Sequence, residues 1–468
     1  QFESQSGSTW PLAFPQTTFS NSCVWNSADD AHMHITYGSA GNQKTWTWSG
    51  WVKRAKTGVQ NDLWSMGSAN NTFGIVYISS NDDFTFYEAD SGSTTAFLGS
   101  NQLFRDPGAW YHILFVLDTT QSTADNRQRL YVNGAEVTSF ANRTNPSLNA
   151  DLKINSAAKH YLGGTSTGLS NLEWDGCMSQ VIFVDGQALT PSSFGATNPV
   201  TNIWEPIAYT GTYGSNGYKL NFSDSSALGD DTSGNTNDLT LSSIASTDQI
   251  TDTPSNNFAT ANPLVRNKSY NDGSLAEGNT YFAPGGRAIS CSTIGVTKGK
   301  WYAEFKAQDA GALYIGCGQL KGIDALSLSN PIWYDNNPGY AVGYGAGGSL
   351  EDGTGSTSYG SGYSDNNIVG VALDMDNYEM YISVNGTFQN SGDPTSGSSK
   401  TGGVTGATSY NPFDDGDPIF FFVSDFSAAG VGECFHNYGN PAFSISSSNA
   451  DANGFGNFEY AVPSGYFA

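Results

Sequence analysis

Positive charge is scarce in this chain. Its 468 residues carry 19 Lys and Arg against 43 Asp and Glu, for a formal net charge of −24. Nucleic-acid binding depends on Lys and Arg that neutralise phosphates, and here these cations are spread out rather than clustered. The sequence therefore predicts no binding to DNA, RNA or an anionic membrane, whereas the charge favours solubility and repulsion between copies at a crowded surface.

Long apolar runs are also missing. No run approaches the ~18 residues that a membrane-spanning helix needs, and no signal-peptide pattern opens the chain. The sequence therefore predicts no membrane insertion. The chain begins at Gln1 without an initiator Met and stops at Ala468, next to an aromatic residue. We expect it to be a processed form or a segment of a longer protein.

Cysteine is too rare for a disulfide framework at this length. The chain has five cysteines, so at least one thiol is unpaired. Their spacing contains no CxxC or Cys/His metal pattern. We interpret Cys291, Cys317 and Cys434 as small buried hydrophobic residues.

Glycine and aromatic residues are abundant instead. The chain has 55 glycines, and aromatic residues make up 13% of it. Asn, Ser, Thr and Asp crowd between short apolar runs, a pattern typical of many short strands joined by turns. The length exceeds what one hydrophobic core normally serves. We predict an all-β protein with more than one domain.

Two stretches of the chain share one plan. The first runs through Trp110–Asp118 to Arg129–Gly134, and the second through Ile368–Asp374 to Tyr378–Gly386. Each has an apolar run, a polar turn, a second run and a final Asn-Gly pair, which favours a tight hairpin turn. Each stretch therefore predicts a strand pair at the centre of a β-domain.

These stretches carry a resemblance to two known families. Trp110-Tyr-His, the strand that follows and Leu130-Tyr-Val-Asn-Gly134 resemble the core of a laminin-G-like, concanavalin-type jelly roll. The second stretch, with Gly299-Lys-Trp-Tyr302 before it, resembles a SPRY domain. The resemblance implies two antiparallel β-sandwich (jelly-roll) domains in tandem. The implied parts are an extended N-terminal arm (1–19), a laminin-G-like sandwich (20–196), a connector with one or two extra strands (197–265) and a SPRY-like sandwich (266–468).

A finer resemblance rests on four motifs. Trp51-Val-Lys-Arg54, Phe104-Arg-Asp-Pro107, Ser192-Ser-Phe-Gly195 and the connector at 213–264 together resemble tailed-bacteriophage virion proteins, particularly marine ones. This implies a virion fibre, spike or capsid-surface decoration at the extracellular virion surface, attached to a host-surface glycan. The implied partners are other virion proteins and further copies of the chain, with a trimer expected for a fibre. The alternatives are a secreted bacterial carbohydrate-binding adhesin and a purely structural capsid cement.

Loops of the second domain are the candidate ligand contacts, because SPRY folds usually bind through their loops. Trp333, Tyr334 and Asp335 lie in an insert, and Tyr359 and Tyr363 end a segment rich in Gly, Ser and Tyr. Such loops suit adaptable contact surfaces. Contact with a neighbouring subunit is an equally good interpretation.

Trp46 and Trp48 alternate with polar residues, which places both side chains on one face of a strand. Stacking on a sugar is one interpretation. A place in the sandwich core is the favoured one, because the corresponding strand of the laminin-G-like family contributes to the core. The nearby Gly50 predicts a bulge or a close backbone approach. The same family resemblance makes Cys23 and Cys177 residues of neighbouring strands, so a disulfide between them is a further hypothesis.

Enzyme motifs are absent. The sequence has no nucleophile elbow, zinc-protease helix or phosphate-binding loop, and its five histidines are mostly isolated. Jelly-roll glycoside hydrolases carry a Glu-x-Asp-x-x-Glu strand with carboxylates about 5–5.5 Å apart. The nearest patterns, Glu88-Ala-Asp90 and Glu173-Trp-Asp175, lack the second Glu. We predict that the chain is not an enzyme.

Acidic turns raise one metal hypothesis. Asp82-Asp83, Asp230-Asp231 and the group Asp414, Asp415 and Asp417 offer carboxylates of the kind that hold Ca²⁺, and laminin-G-like domains sometimes carry one calcium ion. Asp is also a turn residue that hydrogen-bonds its own backbone. The turn interpretation is favoured for each cluster, and no other cofactor is predicted.

Overall fold

A computed structural model describes residues 17–68, 72–164, 172–265, 274–320, 340–352, 355–405, 411–425, 427 and 429–468. The protein is all-β, with antiparallel sheets joined by turns and short 3₁₀ helices. No helix in these ranges is long and apolar enough to cross a membrane.

The first sandwich is built from strands that span residues 22–250. They are β1 (Ser22–Trp25), β2 (His32–Thr36), β3 (Thr45–Arg54), β4 (Asn61–Ser68), β5 (Thr72–Ile78), β6 (Asp83–Asp90), β7 (Ser93–Leu103), β8 (Tyr111–Asp118), β9 (Gln128–Val132), β10 (Ala135–Glu136), β11 (Phe140–Thr144), β12 (Lys159–Leu162), β13 (Gly176–Asp185), β14 (Gly195–Thr197), β15 (Trp204–Pro206), β16 (Tyr218–Leu220), β17 (Thr240–Ser242) and β18 (Gln249–Ile250). Short 3₁₀ helices lie at Ser27–Asp29, Ala124–Asn126, Pro191–Ser193 and Ser246–Asp248.

Two eight-stranded sheets enclose the core of this sandwich. Sheet A has the order β10-β9-β8-β3-β13-β1-β18 with β16 beside β13, and sheet B has the order β11-β7-β6-β5-β4-β12-β2-β17. Trp46 of sheet A meets Phe86 of sheet B with ring centroids 6.2 Å apart. Trp46 and Trp48 are both fully buried in this core, which confirms their predicted structural role.

Gly50 has the close approach that its position predicts. The register between β3 and β13 shifts between Ser179 and Ile182, opposite Gly50. A Cβ atom on Gly50 would lie 2.7 Å from the ring of Trp48. The bulge is therefore in the partner strand, and the Trp48 ring fills the space that a side chain at position 50 would need.

The predicted strand pairs are present in both halves of the chain. β8 pairs with β9, and Asn133 (φ 47°) and Gly134 (φ 80°) turn the chain into β10. Asn385 (φ 47°) and Gly386 (φ 76°) make the equivalent turn in the second sandwich. Two consecutive positive φ values define the type I′ turn that Asn-Gly favours, so both hairpin predictions are confirmed.

The segment predicted as a connector belongs largely to the first sandwich. β16 pairs with β13 and β18 pairs with β1 in sheet A, while β17 pairs with β2 in sheet B. Its apolar side chains enter the same core, including Tyr218, Leu220, Phe222 and Leu239. The first sandwich is therefore completed by residues well beyond the expected boundary at 196.

Buried ion pairs fix this arrangement. Lys53 Nζ lies 2.7 Å from Asp252 Oδ2, and the Trp110 indole N–H donates to Asp252 Oδ1 at 2.8 Å. Arg54 Nη1 lies 2.9 Å from Asp82 Oδ1. The two cations of the Trp51–Arg54 motif therefore hold the connector and the turn before β6 against the sandwich.

Cys23 and Cys177 are on neighbouring strands, as the resemblance implied, but they form no disulfide. All five thiols are free and buried. Cys23 lies opposite Met178, and Val24 lies opposite Cys177. Because consecutive residues of a strand point to opposite faces, the Cys23 thiol enters the sandwich core and the Cys177 thiol packs on the other face.

The second sandwich is built from strands that span residues 274–437. They are β19 (Ser274–Ala276), β20 (Tyr281–Ala283), β21 (Ala288–Cys291), β22 (Lys300–Asp309), β23 (Leu313–Gln319), β24 (Ala341–Gly345), β25 (Ser349–Glu351), β26 (Ser356–Ser358), β27 (Ile368–Asp374), β28 (Glu379–Val384), β29 (Thr387–Phe388), β30 (Ile419–Asp425) and β31 (Glu433–Asn437). Short 3₁₀ helices lie at Gln389–Ser391 and Gly397–Ser399.

These strands again form two sheets around one core. Sheet C has the order β19-β20-β31-β22-β27-β28-β29, and sheet D has the order β21-β30-β23-β24-β25-β26. Residues near the end of the chain cover the outer face of sheet C, where Phe458 and Tyr466 are buried against Tyr302 and Tyr381. Glu304 anchors this cover by accepting two backbone N–H bonds at 2.8 Å, from residues 459 and 460.

Candidate functional site

The outer face of sheet B carries a groove. Side chains alternate between the two faces of a strand, so Val76, Phe86 and Leu98 enter the core, while Tyr77 and Phe97 face outward and are half-buried. The groove has a volume of about 390 Å³ and is lined by residues of β5, β6, β7 and β11 and their adjoining turns.

A glycine makes the floor of the groove. Tyr77 lies opposite Thr85, and Thr85 lies opposite Gly99. A Cβ atom on Gly99 would lie 3.2 Å from the Phe97 ring and 3.7 Å from the Asp83 carboxylate. The missing side chain at position 99 therefore leaves the depression between these groups open.

Polar groups converge on the same depression. The Thr85 hydroxyl donates to Asp83 Oδ2 at 3.2 Å, and the Ser79 hydroxyl donates to Asp83 Oδ1. Asn101 Nδ2 donates to Ser139 Oγ at 2.8 Å. The exposed side chain of Asn142 makes no hydrogen bond within the described part of the chain. The groove thus offers a carboxylate, hydroxyls and amides beside its aromatic rings.

The Tyr77 hydroxyl remains a hydrogen-bond donor over the neutral range. Burial raises the pKa of Tyr77, and the carboxylates of Asp62 and Asp83 raise it further, although a hydrogen bond with Thr85 acts in the opposite direction. A protonated phenol can donate and accept at once. Tyr77 can therefore present both a ring face and a hydroxyl to a bound molecule.

This arrangement suits recognition of a polar, ring-shaped molecule more than its hydrolysis. Ligand sites combine apolar and aromatic walls with a few placed polar groups. Glycoside hydrolysis needs two carboxylates that flank the scissile bond, and Asp83 is the one carboxylate among the lining residues in the described ranges. The groove therefore lacks the pair that this mechanism requires.

The carboxylates of the two Glu-x-Asp patterns in the sequence, at 88–90 and 173–175, have structural partners. Glu88 is fully buried and accepts from the Lys153 backbone N–H at 2.7 Å. Burial raises the pKa of Glu88 to about 7. Asp90 pairs with Lys153 at 2.8 Å, and Asp175 pairs with Lys56 at 2.7 Å. Neither pattern lies in the groove.

Of the predicted ligand contacts of the second sandwich, the structure describes Tyr359 and Tyr363. Trp333, Tyr334 and Asp335 lie outside the described residues. Tyr363 is 5% exposed, and its hydroxyl donates to the Leu313 carbonyl oxygen at 2.7 Å, so its ring is part of the core and not of a contact loop. Tyr359 is half-buried and donates to the Gly402 carbonyl oxygen at 2.7 Å.

Part of the glycine-rich segment before these tyrosines forms β-strands. β25 and β26 form a hairpin at the edge of sheet D, with Leu350 opposite Thr357. Tyr363 and Tyr359 pack against Tyr344 with ring centroids 5.9 Å away. The tyrosines of this segment therefore stabilise the sheet edge, a role that its composition alone does not reveal.

The acidic turn at Asp414, Asp415 and Asp417 does not assemble a metal site. Asp415 Oδ1 accepts from the Asp417 backbone N–H at 3.1 Å, which is the turn geometry expected of Asp. In the described ranges no group of three or more His, Cys, Asp or Glu side chains is placed to hold a metal ion. Asp82 is likewise used structurally, by Arg54 and Arg105 at 2.9 Å each.

The groove residues were not singled out as a site in the sequence. The sequence pattern that could have indicated them is the alternation along β5, where Phe73, Ile75 and Tyr77 share one face and Val76 lies on the other. An aromatic residue on the face opposite the core is a candidate contact. The sequence does not say that Phe97 lies beside this strand, because that follows only from the order of strands in sheet B.

A smaller cavity lies where the two sandwiches meet. It has a volume of about 180 Å³, and its lining includes Cys177, Asp248, Glu277 and Asn440. Burial raises the pKa of Asp248 and of Glu277. The Asn440 side-chain oxygen accepts from the Thr251 N–H at 3.0 Å across this junction. Its small size and its position between packed elements favour the groove of sheet B as the ligand site.

One model of a known protein family matches part of the chain. Residues 27–193 match the laminin G model of the concanavalin A-like lectin/glucanases superfamily. The matched region is less than half of the chain and contains every residue that lines the groove. Among curated proteins, none matches this chain.

Solved structures resemble the chain only distantly. Laminin G domains 4 and 5 of the mouse laminin α1 chain are 10% identical, cover 88% of this chain and 84% of their own, and give a TM-score of 0.30. The SPRY domain of human HERC1 is 14% identical over 38% of this chain and 96% of its own, with a TM-score of 0.26. A heptameric SAP-like pentraxin from Limulus polyphemus is 13% identical over 48% of this chain and 94% of its own, with a TM-score of 0.30. TM-scores this low are no basis for assigning function.

Proposed function

We propose that this chain is a non-enzymatic glycan-binding protein, and that the groove on sheet B holds one sugar of a host-surface polysaccharide. The observation that carries the proposal is the groove itself. Tyr77 and Phe97 border a depression that Gly99 leaves open, with the Asp83 carboxylate beside it. A pyranose ring has apolar faces and a rim of hydroxyls, so it complements aromatic rings placed next to hydrogen-bonding groups.

The match of residues 27–193 to a lectin and glucanase superfamily supports the same function. That superfamily description covers both binding and hydrolysis. The single carboxylate among the groove residues favours binding, because hydrolysis requires two.

We further propose that the chain acts at the surface of a tailed-bacteriophage virion, as a fibre, spike or capsid decoration. The support is the combination of motifs in the sequence. Lys53 of the Trp51–Arg54 motif pairs with Asp252 of the connector, so motif and connector form one structural unit. Copies assembled with other virion proteins, as a trimer in a fibre, would bind a repetitive glycan through many weak contacts at once.

A glycan array with purified protein tests the binding function. Tyr77→Ala and Phe97→Ala remove the rings and should each weaken a positive glycan about tenfold, from the loss of ~1.5 kcal/mol of contact. Gly99→Leu should block the depression. Phe455→Ala is the matched control, because this exposed ring lies in the second sandwich, far along the chain from the groove. Unfolding midpoints of all variants confirm that each one folds.

Two results would refute the proposal in separable ways. If the groove variants bind every positive glycan as tightly as the control variant does, the groove is not the site. Antibodies raised against the first sandwich should label the virus particles that carry this chain, and electron cryomicroscopy should place the copies and count them. Particles without label would refute the virion role and leave the glycan-binding result unaffected.

A further inference from the structure

A second cluster lies on the same outer face of sheet B, beyond β4. It consists of His32 and His34 of β2 and Lys159 and Tyr161 of β12. The ring centroids of His32 and His34 are 5.9 Å apart, and that of Tyr161 is 5.7 Å from His32 and 6.0 Å from His34. Lys159 Nζ lies 4.8 Å from the Tyr161 ring centroid. Three rings and an ammonium group therefore form one platform.

The charge of this platform is unusual for so acidic a chain. Lys153, six residues earlier, pairs with Asp90 at 2.8 Å, whereas Lys159 has no carboxylate at ion-pair distance in the described ranges and contacts the Tyr161 ring instead. The carboxylate closest to the histidines there is that of Asp30, 3.9 Å from His32 Nδ1 and 76% exposed. The cluster thus presents the Lys159 ammonium, whose charge is largely uncompensated.

One row of residues joins the cluster to the groove. Tyr161 lies opposite Ser65, Ser65 opposite Ile75, Ile75 opposite Tyr87, and Tyr87 opposite Phe97. Adjacent strands are ~4.8 Å apart, so this row spans about 19 Å. None of its members is acidic, and the row therefore sets no negative charge in the path between the two sites.

We propose that the cluster of His32, His34, Lys159 and Tyr161 is a second subsite that binds the anionic group, carboxylate or sulfate, of an acidic sugar. The acidic sugar belongs to the polysaccharide whose neutral sugar occupies the groove, so this inference rests on the proposed glycan-binding function. The Tyr161 ring supplies a face for the sugar, and Lys159 supplies the charge. The Asp83 carboxylate in the groove disfavours a second anion there, which assigns the neutral sugar to the groove and the acidic sugar to the cluster.

His34 makes the subsite sensitive to pH. The charged or titratable groups around His34 are Lys159 and His32, and Asp30 faces His32. Strand β17, on the other side of β2, places Thr240 and Ser242 beside the histidines, and neither of these side chains titrates. The pKa of His34 is lowered, first by burial and then by the charges of Lys159 and His32. Since an imidazolium attracts an anion and a carboxylate remains ionised above pH ~4, binding of the acidic sugar should strengthen as the pH falls from ~6.5 to ~5, the range into which the lowered pKa moves protonation of His34.

Matched polysaccharides test the inference on the intact chain. Partly methyl-esterified polygalacturonate, which has neutral sugars beside charged ones, is compared with the fully esterified polymer, and sparsely sulfated dextran is compared with dextran. At pH 6 and constant ionic strength, Lys159→Gln should weaken binding of an acidic probe about fivefold and leave its neutral partner unchanged. Lys306→Gln is the matched control, because Lys306 Nζ also lies over a ring, 5.6 Å from that of Phe443, in the second sandwich.

The outcomes separate the two proposals. An acidic probe that binds more tightly than its neutral partner, with the difference lost in Lys159→Gln and retained in Lys306→Gln, supports the subsite, and the probe pair that shows it identifies carboxylate or sulfate. Equal binding of every acidic and neutral pair, or a difference that survives Lys159→Gln, overturns it. The Tyr77→Ala variant reports on the groove independently, because it should weaken charged and neutral probes alike.

Discussion

Replacing Asp252 by Asn should destabilise the first sandwich by about 3–5 kcal/mol, the usual result of removing one partner from a buried ion pair. Lys53 and Asp252 are 2% and 0% exposed. Lys53 Nζ also donates to Asn257 Oδ1 at 2.9 Å and to the Phe258 carbonyl oxygen at 2.7 Å. In Asp252→Asn the ammonium retains these neutral acceptors but loses its counter-charge inside the protein.

Asn is the sharper substitution because its side-chain oxygen still accepts from the Trp110 indole N–H, which Asp252 binds at 2.8 Å. The change therefore keeps the Trp110 contact and removes the negative charge together with the acceptor that Asp252 Oδ2 offers to Lys53 Nζ. Urea unfolding at pH 7 followed by tryptophan fluorescence measures the effect by linear extrapolation. Most of the eleven tryptophans precede residue 266, so the signal reports mainly on the first sandwich.

A double-mutant cycle completes the test. Lys53→Met alone leaves the Asp252 charge buried, whereas Lys53→Met with Asp252→Asn removes both charges and should recover at least half of the loss. Asp151→Asn is the control, because Asp151 lies 3.8 Å from Lys44 in a pair whose side chains are 63% and 38% exposed, and such a pair contributes under ~1 kcal/mol. If Asp252→Asn costs no more than the control, or the two single losses simply add, the connector is not held by this ion pair.

Three further predictions concern pH, backbone and thiols. Burial raises the pKa of Asp62 from 3.8 to about 7. Protonated Asp62 therefore contributes stability that is fully present below pH ~4, and up to ~4 kcal/mol of it is lost as the pH rises from ~4 through 7. Asp62→Asn should flatten the dependence of the free energy of unfolding on pH over that range, and an unchanged dependence would contradict the raised pKa of Asp62. Gly134→Ala should cost at least ~1 kcal/mol more than Gly234→Ala, since both positions have positive φ but only at position 134 would a Cβ clash with the Trp204 ring. Thiol titration of the unfolded chain without reductant should find all five cysteines free, and fewer would reveal a disulfide.

Features that depend on neighbours in the chain could be predicted from the sequence. The alternation at Trp46 and Trp48 places both on one face, and the pairs Asn133-Gly134 and Asn385-Gly386 set the hairpin turns. These signals are local, because side-chain direction alternates with a period of two and a type I′ turn requires residues that tolerate positive φ. The all-β class follows from many such signals together, whereas the two sandwiches were implied by the family resemblance.

The candidate site could not be predicted in the same way. Tyr77 and Phe97 are on strands that are not hydrogen-bonded to each other, since β6 lies between them. A local pattern shows that a side chain faces away from the core, but not what lies beside it. The burial of Tyr363 could not be predicted for the same reason, because it depends on packing against Tyr344 and the chain at Leu313.

The amino-acid sequence by itself determined the strands, their faces and their turns, because each depends on residues within a few positions of one another. Only the tertiary structure decided that much of 197–265, through β16, β17 and β18, completes the first sandwich. Strands of two or three residues, such as β17 and β18, are too short to show a pattern of their own. They are stabilised by sheet partners and by contacts such as that between Lys53 and Asp252, 199 residues apart. The groove and the histidine cluster exist for the same reason, since strand order brings together side chains that no local pattern relates.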